Sequence, residues 1–292
     1  MATTTTLAVS PVRSFATRAR RIAGTALRAV LMIAVAAAIV IPIGYAVLAG
    51  FKDSGQIAAD PIGLPDPWVF TNYTDILSSG VFWQEMGNSI FIAALSTAMV
   101  VIFAALAAFV FARRNFPGRE AIFTLFTLGL LFPAAVAILP LFILVRDLGL
   151  LDNPLGIILP EAAFGLPLTI IILRPFFRAI PIELEDAAAI DGCSQFGFFW
   201  RVLLPMSRPV LATVAVLAIV FSWNQFLLPL VMVSSPDRWT LPLGVTNFST
   251  QYSADTARIL AYTTLSLIPA LIFYVIAERQ LVGGLTAGAV KG

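Results

Sequence analysis

Five long stretches without a charged residue constrain this chain more than any other feature. Each is close to or above the roughly 20 residues that an α-helix needs to cross a bilayer. They cover residues 29–51, 86–112, 121–145, 209–236 and 259–277. A sixth stretch, 153–173, has a similar length but contains one acid, Glu161. The pattern predicts an all-α, polytopic membrane protein with six transmembrane helices.

Composition and charge placement agree with lipid as the solvent of this chain. Hydrophobic residues make up 59% of the sequence and charged residues only 12%, whereas soluble domains carry about 25% charged residues. With the N-terminus inside, fourteen of the 18 Lys and Arg residues fall in inner segments. The outer segments hold only Lys52, Arg146, Arg238 and Arg258. This bias predicts that both termini are cytosolic.

The N-terminal region begins with a Thr-rich tail followed by arginines. A cleavable signal peptide is one interpretation, because a basic segment precedes an apolar one. The apolar segment is about twice as long as a signal-peptide core, which favours a retained first span. The predicted organisation is a cytosolic tail over 1–28, a six-span membrane domain over 29–282 and a second cytosolic tail over 283–292.

The residue types that catalysis and metal binding need are scarce. The chain contains no histidine and a single cysteine, Cys193, so the commonest metal ligand is missing and an intramolecular disulfide is excluded. No Gly-rich loop ends in Gly-Lys-Ser/Thr, and no His-Glu metal motif or nucleophile–base pair is apparent. The arginines are scattered at span ends, which argues against a nucleic-acid surface. We therefore predict no catalytic residue, no metal site and no cofactor bound by this chain.

The longest predicted inner loop, 174–208, has the pattern of two short helices joined by a turn. Glu183, Glu185 and Asp186 suit the first turn of a helix, where the helix dipole favours negative charge. Gly192 is placed to end that helix in a left-handed cap, and Ser194 can cap a second helix with large apolar residues. A helix that only lies on lipid is the alternative, but it would favour Lys and Arg on its polar face. The acids favour docking to another protein.

This loop resembles the EAA loop of binding-protein-dependent ABC importers. The family pattern is Glu-Ala-Ala, three residues, Gly, nine residues, Ile, any residue, Leu-Pro. At the same spacing, the matching residues here are Asp186, Ala187, Ala188, Gly192, Val202, Leu204 and Pro205. Asp186 stands where the pattern has Glu and Val202 where it has Ile, and Glu185 is a second candidate for the acid.

The resemblance implies that this loop sits in a cleft of an ATPase subunit and transmits its movement to the spans. The residues implied in ATPase coupling are Glu185, Asp186, Ala187, Ala188, Asp191, Gly192, Leu204 and Pro205. The implied partners are a second permease subunit, two ATPase subunits that bind ATP and Mg, and an extracytoplasmic solute-binding protein. The implied location is the bacterial or archaeal cytoplasmic (inner) membrane.

Further segments resemble carbohydrate-uptake permeases, in particular the smaller maltose-type subunit. They include residues 112–118, 174–178, 223–226, 240–244 and the tail 284–292. By this resemblance the tail inserts between the ATPase subunits through Thr286, Gly288 and Lys291, whereas a frayed terminus is the alternative. The resemblance implies a di- or oligosaccharide as substrate. A polyol or glycerol phosphate is the alternative within the same class of importer.

Four residues inside the predicted spans are candidates for the substrate pathway: Trp223, Asn224, Gln225 and Glu161. An aromatic face beside an amide suits a sugar, because the ring can stack on it and the hydroxyls can bond to the amide. Polar contact between helices, worth about 0.6–2 kcal/mol, is the alternative for Asn224 and Gln225. Glu161 is the one acid embedded in a predicted apolar span, and such acids are functional candidates. An ion-coupled secondary transporter would leave the EAA-like loop unexplained.

Overall fold

A computed structural model of the chain describes the backbone of residues 12–289 and the side chains of residues 20–275. These residues are largely helical and form no β-strand, only an isolated bridge between Ser249 and Ala254. The predicted all-α class is confirmed. The helices are α1 (Val12–Ala49), α2 (Ser54–Ala59), α3 (Thr71–Ser78), α4 (Gly80–Arg113), α5 (Arg119–Leu128), α6 (Ala134–Asp147), α7 (Leu155–Ala179), α8 (Glu183–Ile190), α9 (Gln195–Phe198), α10 (Leu204–Met206), α11 (Arg208–Trp223), α12 (Leu227–Met232), α13 (Leu241–Gly244) and α14 (Thr256–Ala289).

Among the described residues, four helices are long and apolar enough to cross a membrane without a break. These segments are Arg20–Ala49, Gly80–Arg113, Leu155–Ala179 and Thr256–Val275. The number rises to six if each of two bent helix pairs is counted as one span. The six spans predicted from the sequence are therefore the largest number that the described helices allow.

The third predicted span, 121–145, is not one straight helix. The segment Arg119–Leu131, which ends in a 3₁₀ turn, meets α6 at 103°. Pro133 explains the break, because proline has no N–H to donate and moves the preceding residue out of the helical region. Phe132 is accordingly extended, with φ −88° and ψ 114°.

The fifth predicted span, 209–236, is also interrupted. Helix α11 ends at Trp223, and the chain leaves the helical path before α12 begins. The side-chain amide of Asn224 donates to the carbonyl oxygen of Val220 at 2.7 Å. Such local bonds between side chain and backbone compete with helix continuation. The break therefore lies at the polar pair Asn224–Gln225.

Close packing of α4 against α7 forms the centre of the molecule. Six of the thirteen buried residues of α4 are alanine or serine: Ser89, Ala93, Ser96, Ala104, Ala105 and Ala108. On α7, a Cβ added at Gly165 would lie 2.7 Å from Cγ2 of Val100. Small residues allow membrane helices to approach closely. Helix α11 packs on both members of this pair and α14 packs on α11, while α1 packs mainly on α14 and leaves most of its described apolar side chains exposed.

The segment between α12 and α14 is tied to the N-terminal half of α4. The Asn88 amide donates to the carbonyl oxygens of Asp237 and Trp239, at 2.9 and 2.8 Å. The Ser89 hydroxyl accepts from the Leu241 N–H at 2.8 Å. These bonds satisfy backbone C=O and N–H groups in a segment that is not a continuous helix. Such groups need partners within the protein where a membrane offers none.

A second tie joins this segment to the turn before α7. The Asp152 carboxylate accepts hydrogen bonds from the Ser235 hydroxyl, the Ser235 N–H at 2.9 Å and the Ser234 N–H at 3.2 Å. These donors, with the Ser235 hydroxyl first, hold the pKa of Asp152 below its ordinary value. The segment that follows the broken helix is thus fixed to both α4 and α7.

Glu85 corrects the prediction that Glu161 is the one acid within a span. It lies inside α4 and is only 1% exposed. Its carboxylate accepts from the Tyr262 hydroxyl and from the Asn247 amide at 2.9 Å. The adjoining aromatic residues Phe82 and Trp83 continue the helix outward, beyond the uncharged stretch that set the predicted boundary. Burial of this acid is tolerated because both oxygens have donors.

We expect Gly165→Ala to lower the free energy of unfolding by about 1–3 kcal/mol, because the added methyl group collides with Val100 and forces α4 and α7 apart. Adding Val100→Ala should recover part of this loss, so that the two changes are not additive. Unfolding in mixed detergent micelles measures both effects.

Gly87→Ala is the matched control, because it lies on α4 with nothing within 4 Å of an added Cβ. It should leave stability unchanged or raise it by up to about 1 kcal/mol through helix propensity. Equal effects of the Gly165 and Gly87 substitutions would contradict the close approach of α4 and α7.

Candidate functional site

The stretch 183–206, which we call the two-helix unit, begins with α8. Its first turn contains Glu183, Glu185 and Asp186, where the helix dipole favours acids. Gly192 has φ 76°, a conformation that suits glycine because it has no Cβ. The Cys193 N–H donates back to the Ala188 carbonyl at 2.8 Å and closes the end of α8. Helix, glycine turn and second helix follow one another as the sequence pattern predicts.

The second half of the unit starts at Ser194, whose hydroxyl accepts from the Gly197 N–H at 3.1 Å. After α9, the segment Phe199–Leu203 is a π-helix that leads into α10. The whole stretch Gln195–Met206 meets α11 at 80°. Phe198, Phe199 and Leu203 are almost completely buried. The unit is therefore anchored in the protein interior rather than suspended from it.

The core beneath the unit is shared by three membrane helices. The buried residues that form it include Phe109 of α4, Phe177 of α7 and Val214 of α11, together with Phe198, Phe199 and Leu203 of the unit. The rings of Phe109 and Phe199 are 5.2 Å apart. Because protein interiors are close-packed, a displacement of the unit is passed on to these helices.

Three of the predicted coupling residues point inward. The Glu185 carboxylate accepts from the Arg114 guanidinium at 2.7 Å and lies 4.0 Å from Arg113. Arg113 in turn donates to the Ile180 carbonyl at 2.5 Å. Ala188 and Leu204 pack against the shared core. These residues attach the unit to the end of α4 instead of presenting it to a partner.

The other predicted coupling residues are exposed: Asp186, Ala187, Asp191, Gly192 and Pro205. Large apolar side chains accompany them, with Ile190 87%, Phe196 63% and Trp200 46% exposed. We call Asp186, Ile190, Phe196 and Trp200 the outer face of the two-helix unit. Ile190 was not among the predicted coupling residues, although its position as an apolar residue just before the glycine turn was a signal that could have identified it.

Three of the predicted substrate-pathway residues, Trp223, Asn224 and Gln225, lie at the break between α11 and α12. Trp223 and Asn224 line a cavity of about 420 Å³ with Ala93 of α4 and with Pro269 and Phe273 of α14. The Trp223 indole N–H is 3.4 Å from the Ser266 carbonyl. Gln225 is half-buried beside the break but does not line this cavity. An indole and an amide at one cavity can contact an apolar ring face and a hydroxyl.

Glu161 lies on the opposite side of α11. Its Oε2 accepts from the Ser222 hydroxyl at 2.5 Å, and it lines a separate cavity of about 170 Å³. The structure thus divides the predicted pathway residues between two neighbouring cavities. Ser222, Ser96 and Thr169 were missed, and single hydroxyl residues in apolar helices gave only a weak signal for them.

The predicted ATPase-contacting tail is largely beyond the described side chains. The backbone of Thr286 and Gly288 belongs to α14, but their side chains are outside the described residues. Lys291 lies outside the described residues altogether. The implied insertion of this tail between ATPase subunits stays a prediction.

Comparison with known proteins places these features in a family. Residues 100–280 match the model of the binding-protein-dependent transport system inner membrane component, a region that includes the two-helix unit and the broken helix. The diacetylchitobiose uptake system permease of Streptomyces coelicolor is 34% identical over 96% of this chain and 92% of its own length. The trehalose transport permease of Mycobacterium tuberculosis is 38% identical over 78% of this chain and 84% of its own.

A solved structure supports the same assignment. The chain resembles part of a bacterial ABC transporter for the acidic polysaccharide alginate, with a TM-score of 0.76 and 25% identity. The match covers 94% of this chain and 99% of that one. The chain therefore belongs to the family of inner-membrane components of binding-protein-dependent transport systems.

Proposed function

We propose that this permease subunit imports a di- or oligosaccharide, and that it takes its energy from two ATPase subunits, one of which docks on its two-helix unit. The permease itself hydrolyses no ATP, and ATP and Mg are bound by those partners. The observation that carries this proposal is the division of the two-helix unit into an anchored inner side and an exposed outer face.

The outer face has the composition of a protein-docking surface. Exposed aromatic and aliphatic side chains, here Phe196, Trp200 and Ile190, supply apolar contact area, and aromatic residues are common at interface hot spots. Asp186 adds a charge that can pair with a basic group of the partner. A membrane-surface helix would instead favour basic residues on its polar face.

The inner side determines where a movement of the docked ATPase would go. Glu185 links the unit to α4, the π-helical segment shares a buried core with α7, and the chain continues directly into α11. A push on the outer face is therefore delivered to three helices at once. Rigid-body rocking of this subunit against a second permease subunit would then open the pathway alternately to either side.

The distribution of Lys and Arg supports a topology with both termini and the two-helix unit in the cytosol. In this orientation the outer face meets an ATPase subunit, and the opposite ends of the spans meet a solute-binding protein. The bacterial or archaeal inner membrane is the corresponding location. The sugars named for the relatives, and the Trp223–Asn224 cavity, support a sugar as the cargo.

We expect Asp186→Ala to reduce the ATPase activity that the loaded binding protein stimulates by about tenfold, the loss expected for one charge-assisted contact. Wild-type chain should co-purify with a tagged ATPase subunit. Glu183→Ala is the matched control, since Glu183 is an exposed acid in the same helical turn but outside the motif. Failure of wild type to co-purify, or equal behaviour of the two variants, would count against docking.

The Arg114–Glu185 pair can be tested by exchanging its charges. Glu185→Arg should lower coupled ATPase activity by about three- to tenfold, because it places like charges together at the base of α4. The double variant Glu185→Arg with Arg114→Glu should regain most of the activity. No recovery in the double variant would mean that Glu185 acts on a partner subunit instead.

Two substitutions at Trp223 separate sugar contact from helix packing. Trp223→Phe loses the N–H near Ser266 but keeps an aromatic ring. Because the ring is what contacts the sugar, uptake of diacetylchitobiose or trehalose should stay within about twofold of wild type. Trp223→Ala should raise the KM for uptake about tenfold, since aromatic contacts contribute about 0.5–1.5 kcal/mol beyond the area they bury. A Phe variant as impaired as the Ala variant would favour a purely structural role.

A further inference from the structure

Glu161 differs from the other buried acid of the spans in having an unsatisfied oxygen. It is 2% exposed, and Oε2 is bonded to the Ser222 hydroxyl. Oε1 is buried without a hydrogen-bond partner among the described residues. Glu85, by contrast, uses both oxygens. An unpaired buried acceptor costs about 1–3 kcal/mol, so a ligand that donates to Oε1 would relieve this cost.

The space beside Glu161 has a composition that suits such a donor. The Glu161 cavity, about 170 Å³, lies between α4, α7 and α11. Its polar lining groups are Glu161 and the hydroxyl residues Ser96, Thr169 and Ser222. Leu168, Phe221 and other apolar side chains make up the rest. A pocket with mostly apolar walls and a few convergent polar groups is typical of small-molecule sites.

The cavity also lies beside the proposed pathway. Ser222, which holds Glu161, directly precedes Trp223 at the break in α11. The hydrogen bond from Ser222 to Glu161 joins α11 to α7, and these two helices flank the two-helix unit along the chain. The Glu161 cavity and the Trp223–Asn224 cavity therefore lie on two faces of the same end of α11.

The charge of the lining sets a preference among sugars. Among the described residues that line the cavity, none is Lys or Arg. A sugar carboxylate or phosphate placed there would be buried without a counter-ion and would face an acceptor oxygen, which is strongly unfavourable. A sugar hydroxyl or an acetamido N–H can donate to Oε1, and either can also donate to the hydroxyl oxygens of Ser96 and Ser222, whose own protons are bonded to Ala93 and Glu161.

We infer that the Glu161 cavity is a binding subsite for a neutral, hydrogen-bond-donating part of the transported sugar, and that it disfavours sugars that carry carboxylate or phosphate groups. This inference rests on the proposed function and adds the substrate class and a specificity-determining residue. Glu161 provides the acceptor, and Ser222 orients its carboxyl group.

The test uses the assembled complex of this chain, its second permease and its ATPase subunits in nanodiscs without the binding protein. Saturation-transfer NMR would measure binding of diacetylchitobiose and trehalose as neutral probes and of a mannuronate disaccharide as the anionic probe. We expect wild type to bind a neutral probe at least tenfold more tightly than the anionic one. Glu161→Gln should weaken neutral-probe binding about tenfold and narrow that difference, because an NH₂ donor replaces one acceptor oxygen of the carboxyl group.

Glu85→Gln is the matched control, because Glu85 is an equally buried acid outside the Glu161 cavity. It should leave the preference between neutral and anionic probes unchanged. If Glu161→Gln binds the neutral probes as tightly as wild type and keeps the same preference over the anionic probe, the subsite is overturned. The proposal that the chain imports a sugar would be unaffected by that result. If the complete importer with its binding protein takes up no sugar, the proposed cargo and the subsite both fail, whereas ATPase docking is judged separately by co-purification.

Discussion

Close contact between α4 and α7, made possible by small side chains, is the interaction on which the rest of the structure depends. In a bilayer, burial from water does not drive helices together, because the lipid tails are as apolar as leucine. Association depends instead on dense packing and on hydrogen bonds. Alanine and serine along α4, with Gly165 opposite Val100, supply that density. The functional segments at both ends of the spans are attached to this pair.

Charged residues within this apolar chain are used where two elements must be held together. Arg114 and Glu185 join α4 to the two-helix unit, while Arg174 of α7 is bonded to Glu120 of α5 and lies 3.9 Å from the Phe123 ring. At the other end of α4, Glu85 is satisfied by Tyr262 and Asn247. Glu161, unlike Glu85, has one oxygen without a hydrogen-bond partner among the described residues, and this difference favours a ligand over a structural role.

The two proposals meet in the geometry of α7 and α11. The two-helix unit connects these helices at one end, and the Glu161–Ser222 hydrogen bond connects them further along. If ATPase closure moves the unit, the relative position of α7 and α11 changes, and so does the Glu161 cavity between them. Energy input and substrate contact would then be coupled through two helices without a long chain of intermediate residues.

Much of the fold and of the candidate coupling site follows from local features of the sequence. Uncharged stretches predict the helices, and the spacing from Asp186 through Gly192 to Pro205 predicts the two-helix unit, because helix caps and dipoles act over a few residues. Two breaks were predicted as continuous spans. Pro133 and Asn224 are residue types that can interrupt a helix, so each break had a local signal. However, Pro140 and Pro160 also lie within predicted spans, and there the helix continues. Neighbouring helices decide which of these sites bends.

The sequence by itself determined that this chain is an all-helical membrane protein and where its two-helix unit lies, since hydrophobicity, charge and capping are properties of the local chain. Only the tertiary structure decided that Glu185 faces Arg114 while Asp186 faces outward, and that Glu85 is fully bonded while Glu161 is not. These distinctions depend on which side chains from distant helices come within hydrogen-bonding reach. That proximity is set by packing, which no single segment of sequence encodes.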